Sequence, residues 1–323
     1  MGTARRRATA QAILYPRPVS QPQSLPQFRY LTPRTLPPAA QLPGRVAVLD
    51  VAFASEGGGS SFETVTLPFI RGLGSRLAAW VDHHDHDRHA DYASDPRFVL
   101  ATKAQHGACP EMVTPAVVAA AGPLDTVAVH LDLDGIYSGA KWVRGGIEPY
   151  EGADADARAV DTRRGTPGPI AQRIDRALRA RFRDERLKHL VIQFLVAGAD
   201  RRRSAVHWSE IDKAAREVDP LLDTSRRLAT GYEIRDGVAY VDVGAVRGFD
   251  KTELLLLGQE RAPVSVVRDS GSLTIAADYV SGLDFVKMLG LGGGMPTRVT
   301  VPDVRLGEVM RKLSEALAER PGS

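Results

Sequence analysis

The sequence predicts an α/β fold in which a parallel-sheet domain, with helices on both faces, precedes a smaller mixed α/β domain. Short apolar runs occupy residues 46–51, 77–81 and 126–133, and a helical pattern follows each of them. Strands that alternate with helices along a chain are typical of a parallel sheet covered by helices.

Acidic residues end each of these runs, and they indicate which edge of the sheet is functional. Asp50 ends the first run, Asp82 follows the second, and Asp132 and Asp134 lie at the end of the third. In parallel sheets the reactive residues gather beyond the carboxyl ends of the strands. We therefore expect these four carboxylates to meet at one edge of the sheet.

The chain is predicted to divide into three segments. Residues 1–44 are rich in Pro, Gln and Arg and have no strand or helix periodicity, so this basic extension is predicted to be disordered. Residues 45–187 are predicted to form the sheet domain, which ends in a connector helix at 170–187, and residues 188–323 the second domain. In the second domain we expect strands at 190–196, 238–243 and 263–267 and helices at 211–222 and 306–317.

Composition is typical of a folded globular protein. Of the 323 residues, 43% are hydrophobic and 25% are charged. No apolar run is long enough to cross a bilayer and no secretory signal pattern is present, so we expect a cytoplasmic protein with no membrane partner. The single cysteine, Cys109, excludes an intrachain disulfide and a zinc site built from several thiolates.

The charge is unevenly distributed along the chain. The net charge is +3, yet the first 49 residues contain seven arginines and no acid. The remaining body therefore carries about −4. Proteins that follow long duplexes normally present a basic face to many phosphates. This balance favours a small or short substrate.

Histidines are concentrated in residues 81–89, here called the histidine segment. It contains half of the chain's eight histidines, together with Asp82, Asp85 and Asp87. Neutral imidazole is a common ligand of transition metals, and adjacent carboxylates can bind the metal or orient the imidazole. A zinc site of the metallo-β-lactamase pattern is disfavoured, because Arg88 stands where that pattern needs an acid.

The acids of the third run form an Asp-x-Asp-Gly motif. Asp132 and Asp134 are two residues apart, so both can reach one metal cluster from a strand end, and Gly135 permits a tight turn. The motif is also similar to the nucleophile loop of haloacid-dehalogenase phosphatases, in which Asp132 would be the nucleophile. Those enzymes carry the motif near the start of the domain and do not need a histidine segment.

Together the two motifs resemble those of the DHH phosphoesterase superfamily, which includes RecJ-type nucleases, oligonucleotide phosphodiesterases and manganese pyrophosphatases. Asp82-His83-His84 matches the motif that names the family, and His130-x-Asp132-x-Asp134-Gly135 matches its aspartate-pair motif. The resemblance extends from residue 45 onward. The motif order departs from the family, because the aspartate pair here follows the Asp-His-His triplet, as in a permuted chain.

The resemblance implies two divalent cations, Mn²⁺ or else Mg²⁺, that activate a water molecule. Asp82 would orient a histidine, and His84 would face the substrate. Asp154 and Asp156 are rivals for the last ligand position. The implied metal ligands are Asp50, His83, His130, Asp132, Asp134 and Asp161.

The second domain resembles the substrate-binding domain that accompanies DHH domains. By this resemblance Arg268 and the glycine-rich turn Gly292, Gly293 and Gly294 would hold the phosphate and base of the substrate. Exposed backbone amides and an arginine fork both suit anions. Met295 departs from the family, which usually has histidine after the glycines.

The predicted function is metal-dependent hydrolysis of a phosphodiester or phosphomonoester in a nucleotide or short single-stranded nucleic acid. The sequence leaves the substrate within that class open, and it leaves a homodimer open. Two alternatives stand beside this prediction. One is a degenerate DHH domain that binds a nucleotide or a partner protein, and the other is a haloacid-dehalogenase-like phosphatase that uses Asp132.

Overall fold

A computed structural model describes residues 25–55 and 60–319. Its first unit is built on a five-stranded sheet in the order β1-β6-β2-β3-β5, with every neighbouring pair parallel. The predicted parallel sheet is confirmed. The strands of this unit are β1 (Gln27–Leu31), β2 (Val46–Leu49), β3 (Leu77–Asp82), β5 (Phe98–Leu100) and β6 (Thr126–His130), and the short β4 (Asp85–His86) lies outside the sheet.

Helices cover both faces of this sheet. Ala47 and Leu49 of β2 pack into a core shared with the long helices of one face, whereas Val46 and Val48 pack with Trp80 on the other. Alternate strand residues point to opposite faces, and all four are fully buried, as expected of a central parallel strand. The helices are α1 (Leu67–Leu73), α2 (Pro115–Ala121), α3 (Leu133–Val143), α4 (Ala153–Thr162), α5 (Pro169–Ala180), α6 (Glu185–Val196) and α7 (Ala205–Arg216).

The second unit contains a mixed five-stranded sheet in the order β12-β10-β9-β8-β7. Only β8 and β9 are parallel neighbours within it. Its strands are β7 (Glu233–Arg235), β8 (Val238–Gly244), β9 (Val264–Asp269), β10 (Ser272–Ala277) and β12 (Arg298–Pro302). Its helices are α8 (Asp219–Ala229), α9 (Lys251–Gln259), α10 (Phe285–Met288) and α11 (Leu306–Ala318).

The prediction for the amino-terminal extension is wrong in its last part. Residues 1–24 lie outside the described residues, but Gln27–Leu31 forms β1 and pairs with β6. Phe28 and Leu31 are buried in the two cores on opposite faces of the sheet. Burial of these apolar side chains therefore orders the segment, although the proline-rich sequence around it shows no strand pattern.

The predicted strand at 190–196 is also wrong, because these residues belong to α6. The apolar run is buried as one face of a helix, with Val191, Ile192 and Leu195 in the first core. The predicted connector helix at 170–187 consists of α5 and the start of α6, so a boundary after residue 187 falls inside α6. Ile211 and Ala214 of α7 also pack into the first core, which carries the first unit to the end of α7.

Several polar contacts join the two units, and three of them lie close to the site described below. The short strand β11 (Gly293–Gly294) pairs antiparallel with β4, forming a link here called the β4–β11 clasp. Arg179 of α5 donates to the carboxylate of Asp250, the residue that caps α9, at 2.8 Å. The hydroxyl of Tyr279 donates to the backbone carbonyl of Lys103.

None of the helices in the described part of the chain is long and apolar enough to span a bilayer.

Candidate metal centre

The predicted metal ligands come together at the carboxyl ends of three adjacent strands. β6, β2 and β3 are neighbours in the sheet, and Asp50 follows β2, the middle one. His130 ends β6, and His83 follows β3. Because the three strands are parallel, their carboxyl ends lie at the same edge. The remaining donors, Asp132, Asp134 and Asp161, come from the amino end of α3 and the end of α4.

Asp50 lies at the centre of this group. Its φ is 60°, in the left-handed region, and its backbone N–H donates to the carbonyl of Val81 at 2.8 Å. One carboxylate oxygen lies 3.2 Å from Nε2 of His83, and the other lies 3.7 Å from Nδ1 of His130. Burial, together with the carboxylates of Asp134 and Asp132, raises the pKa of Asp50 well above its ordinary value.

The donors form three overlapping sets. In each set the donor atoms all lie within 4.8 Å of one another. Asp50 belongs to the first two sets and His83 to the first and third. The first set is Asp50, His83 and His84, the second is Asp50, His130 and Asp132, and the third is His83, Asp134 and Asp161.

The ring of His83 is oriented for metal binding. Its Nδ1 lies 2.9 Å from the carbonyl oxygen of His106, so Nδ1 carries the proton that this contact needs. Nε2 then faces the cluster, 3.2 Å from Asp50 and 3.3 Å from Asp134. A backbone carbonyl on the far nitrogen is a common device for fixing the tautomer of a metal-binding histidine.

Asp82 and His84 form a second, adjacent pair. Nδ1 of His84 contacts the buried carboxylate of Asp82 at 2.8 Å, while the His84 side chain lines a cavity. Burial lowers the pKa of His84. The imidazole is therefore held in one orientation, with Nε2 directed away from Asp82.

His130 and Asp132 are also in direct contact, with Nδ1 2.8 Å from a carboxylate oxygen. Burial alone would lower the pKa of His130, but the carboxylate of Asp132 outweighs it and raises that pKa to about 10. This contact shows that His130 lies in a strongly negative environment.

Lys103 is a member of the cluster that the sequence patterns do not reveal. The residue is 2% exposed, and its Nζ lies 2.9 Å from Nε2 of His83 and contacts the carboxylate of Asp161. Burial would lower the pKa of Lys103, but Asp161, Asp134 and Asp50 raise it, so the side chain is an ammonium. Lys103 lies in a loop with no repeating pattern, and no sequence signal marks it.

The rivals for the last ligand position are engaged elsewhere. Asp154 lies 2.5 Å from Nζ of Lys141, and Asp156 accepts hydrogen bonds from Tyr150 and from the backbone of Gly168. Neither residue belongs to a donor set, whereas Asp161 does.

Two histidines of the histidine segment take no part in the donor sets. His86 and His89 pack against the ring of Phe53, and Nε2 of His86 faces the carbonyl of Ala54 at 3.3 Å. These two histidines form part of an aromatic cluster beside the site.

The predicted substrate residues do not line the cavity beside the donors. Arg268 of β9 is neutralised by Asp242 and Asp303, at 2.9 and 2.8 Å. Gly293 and Gly294 form β11 and pair with His86 and Asp85, and the Gly292 carbonyl accepts from the backbone of Asp87. The glycine-rich turn therefore packs against the histidine segment.

A cavity of about 410 Å³ separates the two units. The first unit contributes His84, His130, Asp132 and Asp161 to its lining, and the second unit contributes Met295, Tyr279 and Arg298. Arg163 and Arg179, at the ends of α4 and α5, also line it. Arg298 contacts the hydroxyl of Thr252, and no carboxylate of the described residues forms an ion pair with it. It is a second site residue that the sequence patterns missed, four residues beyond the glycine-rich turn.

No protein-family model and no curated protein matches this chain. Solved structures do match it. The chain is similar in structure to the exonuclease RecJ. A RecJ structure bound to manganese aligns with 87% of this chain and 77% of its own, with a TM-score of 0.43 and 12% identity. RecJ from Thermus thermophilus in complex with Mn²⁺ aligns with 87% of this chain and 46% of its own, with a TM-score of 0.45 and 11% identity.

A further similar structure is the pGpG-specific phosphodiesterase PggH from Vibrio cholerae. The alignment covers 46% of this chain and 57% of that protein, with a TM-score of 0.32 and 12% identity. This chain therefore spans less than two thirds of the length of the phosphodiesterase and of Thermus RecJ.

The donor set around Asp50 fits a divalent cation on its own chemistry. Buried atoms of Asp50 (Oδ1), His130 (Nδ1) and Asp132 (Oδ1) make no hydrogen bond of normal geometry, although Nδ1 of His130 and Oδ1 of Asp132 lie only 2.8 Å apart. Buried polar atoms are normally satisfied, so such a group calls for an ion or a ligand. Carboxylate oxygens with imidazole nitrogens suit Mn²⁺ and related dications.

Proposed function

We propose that this chain is a divalent-metal-dependent phosphoesterase that hydrolyses a phosphodiester or phosphomonoester of a nucleotide or short oligonucleotide. The observation that carries the proposal is the convergence of Asp50, His83, His130, Asp132 and Asp134 at one sheet edge, beside a cavity lined by arginines. Buried carboxylates in contact with imidazoles are a costly arrangement unless a cation balances them.

Asp50, His130 and Asp132 would hold the cation. A divalent cation bound there lowers the pKa of a coordinated water and offsets negative charge on phosphoryl oxygens. His84 lies on the cavity wall and can accept or release a proton at Nε2, because Asp82 holds its Nδ1. Asp82 acts through His84 and is a positioning residue.

Arg298 is the group best placed to bind a substrate phosphate. It lines the same cavity as His130 and Asp132 and has no carboxylate partner in the described residues, so its charge is available for an anion. A cavity of about 410 Å³ is in the range that small ligands occupy. The mononucleotides, cyclic dinucleotides and shortest oligonucleotides of the open substrate class fit this size better than a long strand.

The first test is metal-dependent hydrolysis by the purified full-length chain. We expect cleavage of bis(p-nitrophenyl) phosphate or of a 5′-phosphorylated dinucleotide to require Mn²⁺ or Mg²⁺ and to stop when EDTA is added. Removing a ligand should cost several kcal/mol of transition-state stabilisation, so Asp132→Asn should lower kcat/KM by about a hundredfold or more.

The matched control is Asp87→Asn, which changes an exposed acid of the histidine segment that belongs to no donor set. It should keep full activity. Metal-independent hydrolysis, or full activity in Asp132→Asn, would contradict the proposal. Activity that survives His83→Ala but not Asp132→Asn, with phosphate trapped on Asp132, would instead support the aspartyl-phosphate alternative.

A further inference from the structure

We infer that the ammonium of Lys103 occupies the position of a second cation, so that the centre binds one divalent metal ion. The inference rests on the proposed function, since it concerns the same cluster. Lys103 Nζ contacts both His83 Nε2 and the Asp161 carboxylate, two of the three members of the third donor set. The remaining member, Asp134, also contacts His83.

The lysine and a metal ion cannot share this donor set. With Nδ1 of His83 committed to the His106 carbonyl, Nε2 offers a single lone pair. Nζ of Lys103 lies 2.9 Å from that atom, at hydrogen-bond distance, so the ammonium uses the lone pair that a metal would need. A metal bound to a histidine nitrogen lies at about 2.1 Å, so it would overlap the ammonium.

Charge also opposes a dication next to the lysine. Two like charges a few ångströms apart repel one another strongly inside a protein, and a dication beside the ammonium would double that repulsion. One ammonium and one dication already balance most of the charge of Asp50, Asp132, Asp134 and Asp161.

Lys103 is held in place at its backbone as well as at its ammonium. Its N–H donates to a carboxylate oxygen of Asp85 at 3.2 Å, and its carbonyl accepts from the hydroxyl of Tyr279 in the second unit. The side chain is almost completely buried, so leaving the cluster would require the surrounding loop to move.

The second donor set remains free for the metal. Lys103 makes no hydrogen bond or ion pair to Asp50, His130 or Asp132, and each of these three residues has a buried donor atom that makes no hydrogen bond of normal geometry. The single dication is therefore assigned to Asp50, His130 and Asp132.

Metal counting on the full-length protein tests the inference without relying on activity. After dialysis against excess Mn²⁺ and removal of free ion, we expect one Mn²⁺ per chain by elemental analysis and calorimetry. The electron paramagnetic resonance spectrum should be that of an isolated Mn²⁺ ion. Lys103→Met keeps the apolar stem but removes the charge, and should bind a second Mn²⁺ and give a spin-coupled spectrum.

Lys141→Met is the matched control. Lys141 is also a buried lysine paired with an aspartate, but it contacts Asp154, outside the donor sets. It should still bind one ion. Asp132→Asn should bind none, which assigns the ion to the second donor set.

The outcomes separate the two proposals. No bound Mn²⁺ in the wild-type protein would overturn the proposed function and the inference with it. Two ions in the wild-type protein would overturn the inference and leave the proposed function standing. One ion in both the wild-type protein and a folded Lys103→Met variant would show that the ammonium does not exclude the second ion. If Lys103→Met does not fold, the inference is tested by the number of Mn²⁺ ions bound to Lys103→Gln and to the wild-type protein.

Discussion

Asp50 has a backbone conformation that few side chains adopt. Asp50 directly follows β2 and has a φ of 60°. This backbone conformation places its carboxylate between His83 and His130. Aspartate tolerates the left-handed region better than most residues other than glycine, and strained positions of this kind cluster at functional sites. The conformation agrees with a residue placed for contact with a cation.

The contact between Asp82 and His84 yields a prediction at the scale of single residues. Asp82→Asn removes the carboxylate that accepts from Nδ1 of His84 and replaces no residue of the three donor sets. Substitutions in the second layer around a metal site typically cost about 10- to 100-fold, and we expect kcat to fall by that amount.

The measurement is steady-state kinetics combined with metal counting. A positioning role requires that kcat falls while the Mn²⁺ count stays as in the wild-type protein and KM changes little. Asp87→Asn again serves as the control. Loss of the metal in Asp82→Asn would show that Asp82 is a ligand and refute the assigned role.

Sequence patterns predict some of the site residues but not others, for a physical reason. Asp50, His83 and Asp132 follow apolar runs, and the rule that strand ends meet at one edge suffices to group them. Lys103 and Arg298 lie beside the donors only because of how a loop and a second unit pack against the sheet. Such packing leaves no periodic pattern in the nearby sequence.

Among the structural elements, the β4–β11 clasp depends on glycine at one position. A Cβ added at Gly293 would meet Cδ2 of His86 and lie 2.8 Å from the carbonyl oxygen of Asp85. Overpacking of this kind typically costs about 1–3 kcal/mol. We therefore expect Gly293→Ala to reduce the free energy of unfolding by that amount.

Gly292→Ala provides the matched control, because a Cβ there meets no atom within 4 Å and its φ is not positive. Urea denaturation of both variants should show a loss for Gly293→Ala alone. Equal stability of the two variants would mean that the clasp adapts to a methyl group.

The errors in predicting elements also have specific causes. Residues 190–196 form an apolar run interrupted only by Gln193, and periodicity alone cannot assign such a short run to a buried strand or a buried helix. Asp184, which caps α6 by accepting from the backbone of Leu187, is the local signal that favours the helix. The strands at 238–243 and 263–267 and the helix at 306–317 were predicted correctly to within a few residues, because alternation and amphipathic spacing were clear there.

At the scale of the whole molecule, the ion pair between Arg179 and Asp250 joins the two units. Asp250→Asn retains a side-chain oxygen that can cap α9 while removing the charge that Arg179 contacts. Hydrogen bonds to charged groups contribute about 1.5–3 kcal/mol, so we expect a loss of that size near neutral pH. Asp223→Asn, at an exposed pair with Arg226, should change the stability by less than about 0.5 kcal/mol.

The contribution of this ion pair should depend on pH. Burial would raise the pKa of Asp250, but the hydrogen bond from Arg179 holds it below the ordinary value. A lowered pKa in the folded state means that the stabilisation is present above the ordinary carboxyl pKa of about 3.9 and is lost as the pH falls through the folded-state pKa. The stability difference between wild type and Asp250→Asn should therefore shrink below about pH 4. A difference that is constant with pH would contradict this assignment.

The strand order also has a consequence for how the chain is made. β6 lies between β1 and β2, so β1 has no partner in the sheet until residue 126 and those after it have been synthesised. His130 and Asp132 arrive on that same late segment. A nascent chain emerging from the ribosome therefore cannot use a cation held by these residues to nucleate its first strands, and metal loading would follow insertion of β6.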